Sequence, residues 1–185
     1  LTILRLVFIP FYVFFLMTDF FPFTSHVALV LFILACLTDT FDGIIARKYK
    51  LITNFGKFAD PLADKILVVS AMICFGALGR MPFWVCILIL AREFAVSGFR
   101  LVAAGNGIVL AASKIGKAKT GWQMTMCSLM TFDIVLLTER MGWPEIVFTV
   151  YNIVELTAMY GALALTVISM IDYFYKNRKC LSTDK

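Results

Sequence analysis

At 185 residues, 61% hydrophobic and only 16% charged, with mean hydropathy +0.90, the chain is far more apolar than a soluble domain, which is about half apolar and a quarter charged. That composition argues against a soluble enzyme and leaves length for one integral membrane domain over residues 1–185, with about six crossings at roughly 20 apolar residues each. The formal charge of +5 is carried by a membrane-type sequence with no recognised nucleic-acid motif, which argues against a nucleic-acid partner.

The first predicted helix covers about Leu1 to Met17. It is apolar with Arg5 near its start, and no small-residue cleavage site follows, so it reads as a transmembrane helix and not a signal peptide. The chain opens on Leu, and a few residues are expected ahead of it. TDFFPFTS ends the first helix, and the second runs from about Ser25 to Lys48. The third begins near Asn54, which can cap it, and runs to about Leu78, where GRMP breaks the chain. The fourth covers about Phe83 to Ala104 and stops at AGNG; the fifth covers about Ser113 to Leu137. After ERMGWP the sixth runs from about Glu145 to Tyr175. The expected fold is therefore an all-α integral membrane protein of six transmembrane helices. Lys and Arg crowd one set of connections (Arg5; Arg47, Lys48, Lys50 and Lys57; Arg100, Lys114, Lys117 and Lys119; Lys176, Arg178, Lys179 and Lys185), against Arg80 and Arg140 on the other. The positive-inside rule puts the rich side, and with it both termini, in the cytoplasm. Such a face attracts anionic lipid or a phosphorylated substrate. The five cysteines form no CxxC pair and read as small apolar fillers, not as a zinc site or a disulfide framework.

The segment Asp39 to Lys65, DTFDGIIARKYKLITNFGKFADPLADK, breaks the apolar pattern. Asp39 and Asp42 stand three apart on the second helix, and Asp60 and Asp64 four apart on the third, so each pair shares a helical face. The connection between the helices is short, which makes them antiparallel neighbours and lets the four carboxylates converge near one end. Like charges so gathered in a poor dielectric must bind protons or cations. Oxygen-only ligands suit Mg²⁺ or Mn²⁺, and two such ions bridged by aspartates would be placed to hold a diphosphate and stabilise its departure. Arg47 adds positive charge, while Gly43, Ala46 and Gly56 leave room for a ligand near the backbone. Simple pairing of the aspartates with Arg47, Lys57 and Lys65 is the bland alternative, but intramembrane charge is expensive and usually functional. Pro61, inside the third helix, removes one backbone hydrogen bond and is a site for a kink. His26, at the far end of the second helix, is expected to play no catalytic part.

Read as Asp-x2-Asp-Gly-x2-Ala-Arg-x8-Gly-x3-Asp-x3-Asp, the segment resembles the motif of the CDP-alcohol phosphotransferase family, with Asp39, Asp42, Gly43, Ala46, Arg47, Gly56, Asp60 and Asp64 at its defined positions. The resemblance implies a six-helix membrane fold, usually dimeric, and a divalent-cation-dependent transfer of the phosphatidyl group of CDP-diacylglycerol to an alcohol. By the same resemblance Asp39, Asp42, Asp60 and Asp64 are metal ligands, with Asp64 also the general base. Asp39, Gly43, Ala46, Arg47 and Gly56 then hold the donor. The family's Asn-x-Pro-Asn segment, which precedes LTILR, is absent from this sequence, leaving Thr2 and Arg5 as further donor contacts. LTILR, DPLADK, AREFAVSGFR and SKIGKAKTGWQ are similar to stretches of the bacterial members that use glycerol 3-phosphate as acceptor.

An acceptor phosphate needs several cationic donors. Arg92, Arg100, Lys117 and Lys119, expected at or near the cytoplasmic ends of helices four and five, with the hydroxyl of Thr120, are the candidates. Each basic residue could instead be a positive-inside anchor, a reading favoured for Lys114. Arg92 stands beside Glu93 in an apolar run, and phosphate binding and a buried salt bridge are both open there. Other acceptors (phosphatidylglycerol, inositol phosphate or serine) are the near alternatives. A divalent-cation transporter is the distant one, disfavoured because the aspartates cluster at one end of two helices beside Arg47. The expected setting is the bacterial inner membrane, with the site facing the cytoplasm.

Overall fold

The computed structural model describes residues 2–18, 20–21, 23–49, 54–105, 114–132 and 142–176; at 2–4, 39–49, 54–62, 64, 104–105 and 114 it describes the backbone alone. These residues form an all-α structure of six helices: α1 Thr2–Met17, α2 Thr24–Tyr49, α3 Asn54–Ala77, α4 Phe83–Gly105, α5 Lys114–Thr131 and α6 Glu145–Lys176. Five of them match the apolar runs closely. α5 stops short of the expected Leu137: the Phe132 N–H is shared between the carbonyls of Ser128 and Leu129, which marks a helix end. The rest of that expected helix lies outside the described residues.

GRMP ends α3 by a defined mechanism. Gly79 takes a left-handed conformation (φ 71°), its N–H bonds the Gly76 carbonyl, and the Arg80 N–H reaches back to the Phe75 carbonyl. This Schellman cap satisfies carbonyls that the last helical turn would leave bare, and it calls for a residue that tolerates positive φ. α3 itself runs unbroken through Pro61.

The chain forms two compact units. The first comprises Leu1–Arg80 and Cys127–Asn152, so it holds α1, α2, α3, the last turn of α5 and the first turns of α6. In it α1 packs against α2 and α3. Arg5, Ile9, Tyr12 and Leu16 form the buried stripe of α1 at helical spacing, and Ala28, Phe32 and Ala35 form that of α2. The Thr131 hydroxyl donates to the Cys127 carbonyl (2.8 Å), so the Tyr12 hydroxyl is the donor in its 3.0 Å bond to Thr131.

The second unit comprises Met81–Met126 and Ile153–Lys185: α4, most of α5 and the rest of α6. Trp122 on α5 donates its indole N–H to the Ala158 carbonyl of α6 at 2.9 Å. Gly161 makes that approach possible, because a Cβ there would lie 2.9 Å from Trp122 Nε1 and 3.0 Å from the ring carbons. Gly161→Ala is therefore expected to destabilise the protein by about 1–3 kcal/mol through overpacking. Thermal unfolding in detergent checks this, and Trp122→Phe in the same chain should recover part of the loss.

Both units present large apolar side chains outward: Phe11, Phe14 and Val30 on the first, Leu101, Ile153 and Ile171 on the second. Water-soluble surfaces seldom carry such density, whereas a lipid surround accepts it. Among the described residues α6 is long and apolar enough to cross a membrane, and shorter apolar helical stretches occur at Arg5–Met17, Thr24–Thr38 and Lys65–Ala77. The last two stretches adjoin the charged halves of α2 and α3.

Candidate active site

The first unit carries the aspartate motif. Asp39, Asp42, Gly43, Ala46 and Arg47 fall in the second half of α2, and Gly56, Asp60 and Asp64 in the first half of α3. The two helices are consecutive, joined through residues 50–53. The helical backbone gives the spacings of three and four their expected meaning, since each aspartate pair shares a face. The side chains of these residues, and of Thr2, lie outside the described residues. Among the described residues no group of three His, Cys, Asp or Glu side chains comes together. The donor set itself, four carboxylates in two pairs on two helices, fits hard divalent cations.

Arg5 is entirely buried on α1. A guanidinium withdrawn from solvent in an apolar helix needs compensating polar groups around it. α1 packs against both helices that carry the aspartates, which keeps Arg5 among the candidates. His26 sits at the opposite end of α2 from Asp39 and Asp42, with its ring against Phe23 and Phe132 (centroids 5.9 and 5.2 Å).

The second unit gathers part of the expected acceptor set. Arg92 is 9% exposed and Lys119 1% exposed, and both bind one carboxylate oxygen, Glu93 Oε1. Arg92 Nη1 donates to it at 3.0 Å, Lys119 Nζ donates to it, and Arg92 Nη2 donates to Ser169 Oγ on α6 at 2.8 Å. The Arg92–Glu93 salt bridge left open by the sequence therefore forms, and it is shared with Lys119. Contrary to expectation, Arg92 is also not at or near a helix end: α4 continues unbroken to Gly105 and leaves Arg92 near its middle.

The other described candidates on α4 and α5 are exposed. Arg100 is exposed, with its guanidinium 5.4 Å from the centroid of the Tyr173 ring, a cation–π arrangement. Lys117 and Thr120 are on the exposed side of α5, and the Thr120 hydroxyl donates to the Gly116 carbonyl at 3.1 Å. Sequence reasoning missed Ser169 and Tyr173. A signal existed: Ala158, Ala162, Thr166, Ser169 and Tyr173 are buried at steps of three and four along α6, a stripe of mostly small and polar residues in an otherwise apolar helix. Ser169 donates onward to the Thr166 carbonyl at 3.0 Å, which orients its oxygen to accept from Arg92.

Comparison with known proteins gives a consistent result. The family described as CDP-alcohol phosphatidyltransferase matches residues 1–171. The chain is 43% identical over 160 residues to a CDP-diacylglycerol–glycerol-3-phosphate 3-phosphatidyltransferase of Bacillus subtilis, covering 86% of this chain and 78% of that one. It is 38% identical over 178 residues to a probable phosphatidylglycerophosphate synthase of Mycobacterium tuberculosis, covering 94% and 77%. A Wigglesworthia glossinidia brevipalpis protein with the same name as the Bacillus one is 35% identical over 182 residues, covering 95% and 91%.

Proposed function

This chain belongs to the CDP-alcohol phosphatidyltransferase family, and from that membership we propose that it transfers the phosphatidyl group of CDP-diacylglycerol to glycerol 3-phosphate, giving phosphatidylglycerophosphate and CMP. The observation that carries the reading is the 43% identity to the Bacillus transferase over most of both chains. The aspartate set on α2 and α3 supplies chemistry suited to that reaction.

In this reading Asp39, Asp42, Asp60 and Asp64 hold two divalent cations, Mg²⁺ or Mn²⁺. Such ions, held by these carboxylates, would supply charge neutralisation to the donor diphosphate and to the departing CMP. Gly43, Ala46, Arg47 and Gly56, with Asp39, lie along the cytidine diphosphate, and Arg5 and Thr2 are the added contacts. Asp64 takes the proton of the acceptor hydroxyl as its oxygen attacks the phosphatidyl phosphorus and the bond from phosphorus to the CMP oxygen breaks. Arg92 and Lys119 bind the acceptor phosphate, with Arg100, Lys117 and Thr120 as outer contacts. The protein crosses the bacterial inner membrane six times, with both termini and the site on the cytoplasmic side, and works as a homodimer.

Purified protein in detergent with CDP-diacylglycerol and Mg²⁺ should release CMP when glycerol 3-phosphate is present and not in its absence. Release that instead needs phosphatidylglycerol, inositol phosphate or serine would overturn the acceptor assignment and leave the family chemistry standing.

A further inference from the structure

We propose that Glu93 is a positioning residue, whose carboxylate holds Arg92 and Lys119 together as a seat for one phosphate monoester. The inference rests on the acceptor reading above and adds to it the residue that organises the site. Neighbouring residues on a helix do not face one another, so helical geometry alone does not produce the contact between Arg92 and Glu93. The guanidinium is held by its two ends, with Nη1 on Glu93 and Nη2 on Ser169. Lys119, from α5, reaches the same Glu93 oxygen. Two cations this buried would repel each other, and a single carboxylate between them lets both remain charged. The three ionised side chains leave one net positive charge.

A second observation points to a ligand. Arg92 Nε is buried and has no hydrogen-bond partner among the described residues. Buried donors are normally engaged, and a helix staple would need no donor held in reserve. An N–H left over on a fixed guanidinium, beside a buried ammonium, is suited to phosphate oxygens.

The test compares the full chain with Glu93→Gln, Glu93→Asp and Ser169→Ala. Glu93→Gln is expected to raise KM for glycerol 3-phosphate about ten-fold, with KM for CDP-diacylglycerol unchanged and kcat altered far less. Glu93→Asp should recover part of that rise, and Ser169→Ala should raise the same KM by about three-fold. As a reading apart from turnover, glycerol 3-phosphate alone should raise the unfolding temperature of the native protein and fail to do so for Glu93→Gln, while the CDP-diacylglycerol shift persists. An unchanged acceptor KM in variants that lose only kcat or folded yield would overturn the proposal and leave a helix staple. A selective rise in KM for CDP-diacylglycerol would overturn it by moving the seat to the donor's phosphates. If Glu93→Gln does not fold, Ser169→Ala gives the same split from the other end of Arg92. Native enzyme indifferent to glycerol 3-phosphate would overturn the acceptor reading itself, whatever the variants do.

Discussion

Asp64→Asn is expected to lower CMP release by roughly 10³-fold or more, with no loss of folded protein. Asparagine keeps the shape of aspartate and removes both the charge and the basicity. On the proposed mechanism Asp64 is a general base, a role that contributes about 10²–10⁴ in rate, and its carboxylate would also help hold the cations, so its loss would cost more. The stability consequence runs the other way. If the four aspartates converge as proposed, they repel one another without metal, and removing one charge would relieve the fold. In chelator, Asp64→Asn should unfold at the same temperature as the native protein or higher. Thermal scans with and without Mn²⁺, beside the CMP assay, check both halves. Asp172→Asn is the control: Asp172 pairs at 2.7 Å with Lys176, which is 60% exposed, and such a pair contributes about 1 kcal/mol or less, so CMP release should stay near the native level. A parallel loss of activity and stability in Asp64→Asn would make Asp64 a structural residue.

The placement of Asp60 and Asp64 four apart on one helix was legible in the sequence because its signal is local. Spacings of three and four within helices, broken by a short connection, need nothing beyond helical periodicity to be read. The same holds for a helix end: GRMP names its own cap, and Gly79 carries out the left-handed turn that such a sequence predicts. The limits of this legibility lie where partners come from distant segments. Arg92 and Glu93 are adjacent in sequence, so their pairing could be weighed in advance, but the claim of Lys119 on the same oxygen depends on how α5 is rotated against α4. Lys117 and Lys119 look equivalent in SKIGKAKTGWQ, yet one is exposed and the other buried, because two residues along a helix turn a side chain through about 200°. Ser169 was harder still. A lone serine in an apolar helix passes for a tolerated small residue, and only the Arg92 guanidinium opposite gives it a task. The apolar surface tells a similar story: composition alone announced a lipid surround, while the charged halves of α2 and α3 keep those helices from passing as simple spans.

The difference between Lys117 and Lys119 carries the second large effect. Lys119→Met is expected to destabilise the protein by about 2–3 kcal/mol, whereas Lys117→Met should change stability by less than about 0.5 kcal/mol. Lys119 is 1% exposed and its Glu93 partner 19% exposed, so the pair is largely desolvated. Removing one member of a buried pair typically costs about 3–5 kcal/mol. The lower figure applies here because Arg92 still neutralises Glu93 and solvent reaches part of the carboxylate. Glu93→Gln alone leaves two cations side by side and should cost more. The double variant Lys119→Met, Glu93→Gln leaves Arg92 as the one charge, bonded to Ser169, and should be more stable than the sum of the single losses predicts, by about 2 kcal/mol. Unfolding of all four proteins in one detergent completes the cycle. Strict additivity would mean that Lys119 and Glu93 do not act as a pair, and the cationic seat built on them would fall with it. Coupling of the expected sign, together with a fall of about 100-fold in kcat/KM for glycerol 3-phosphate in Lys119→Met, would mean that the same buried ammonium steadies the second unit and binds the acceptor. A positive-inside anchor would do neither, because its charge stays in water whether or not the substrate is bound.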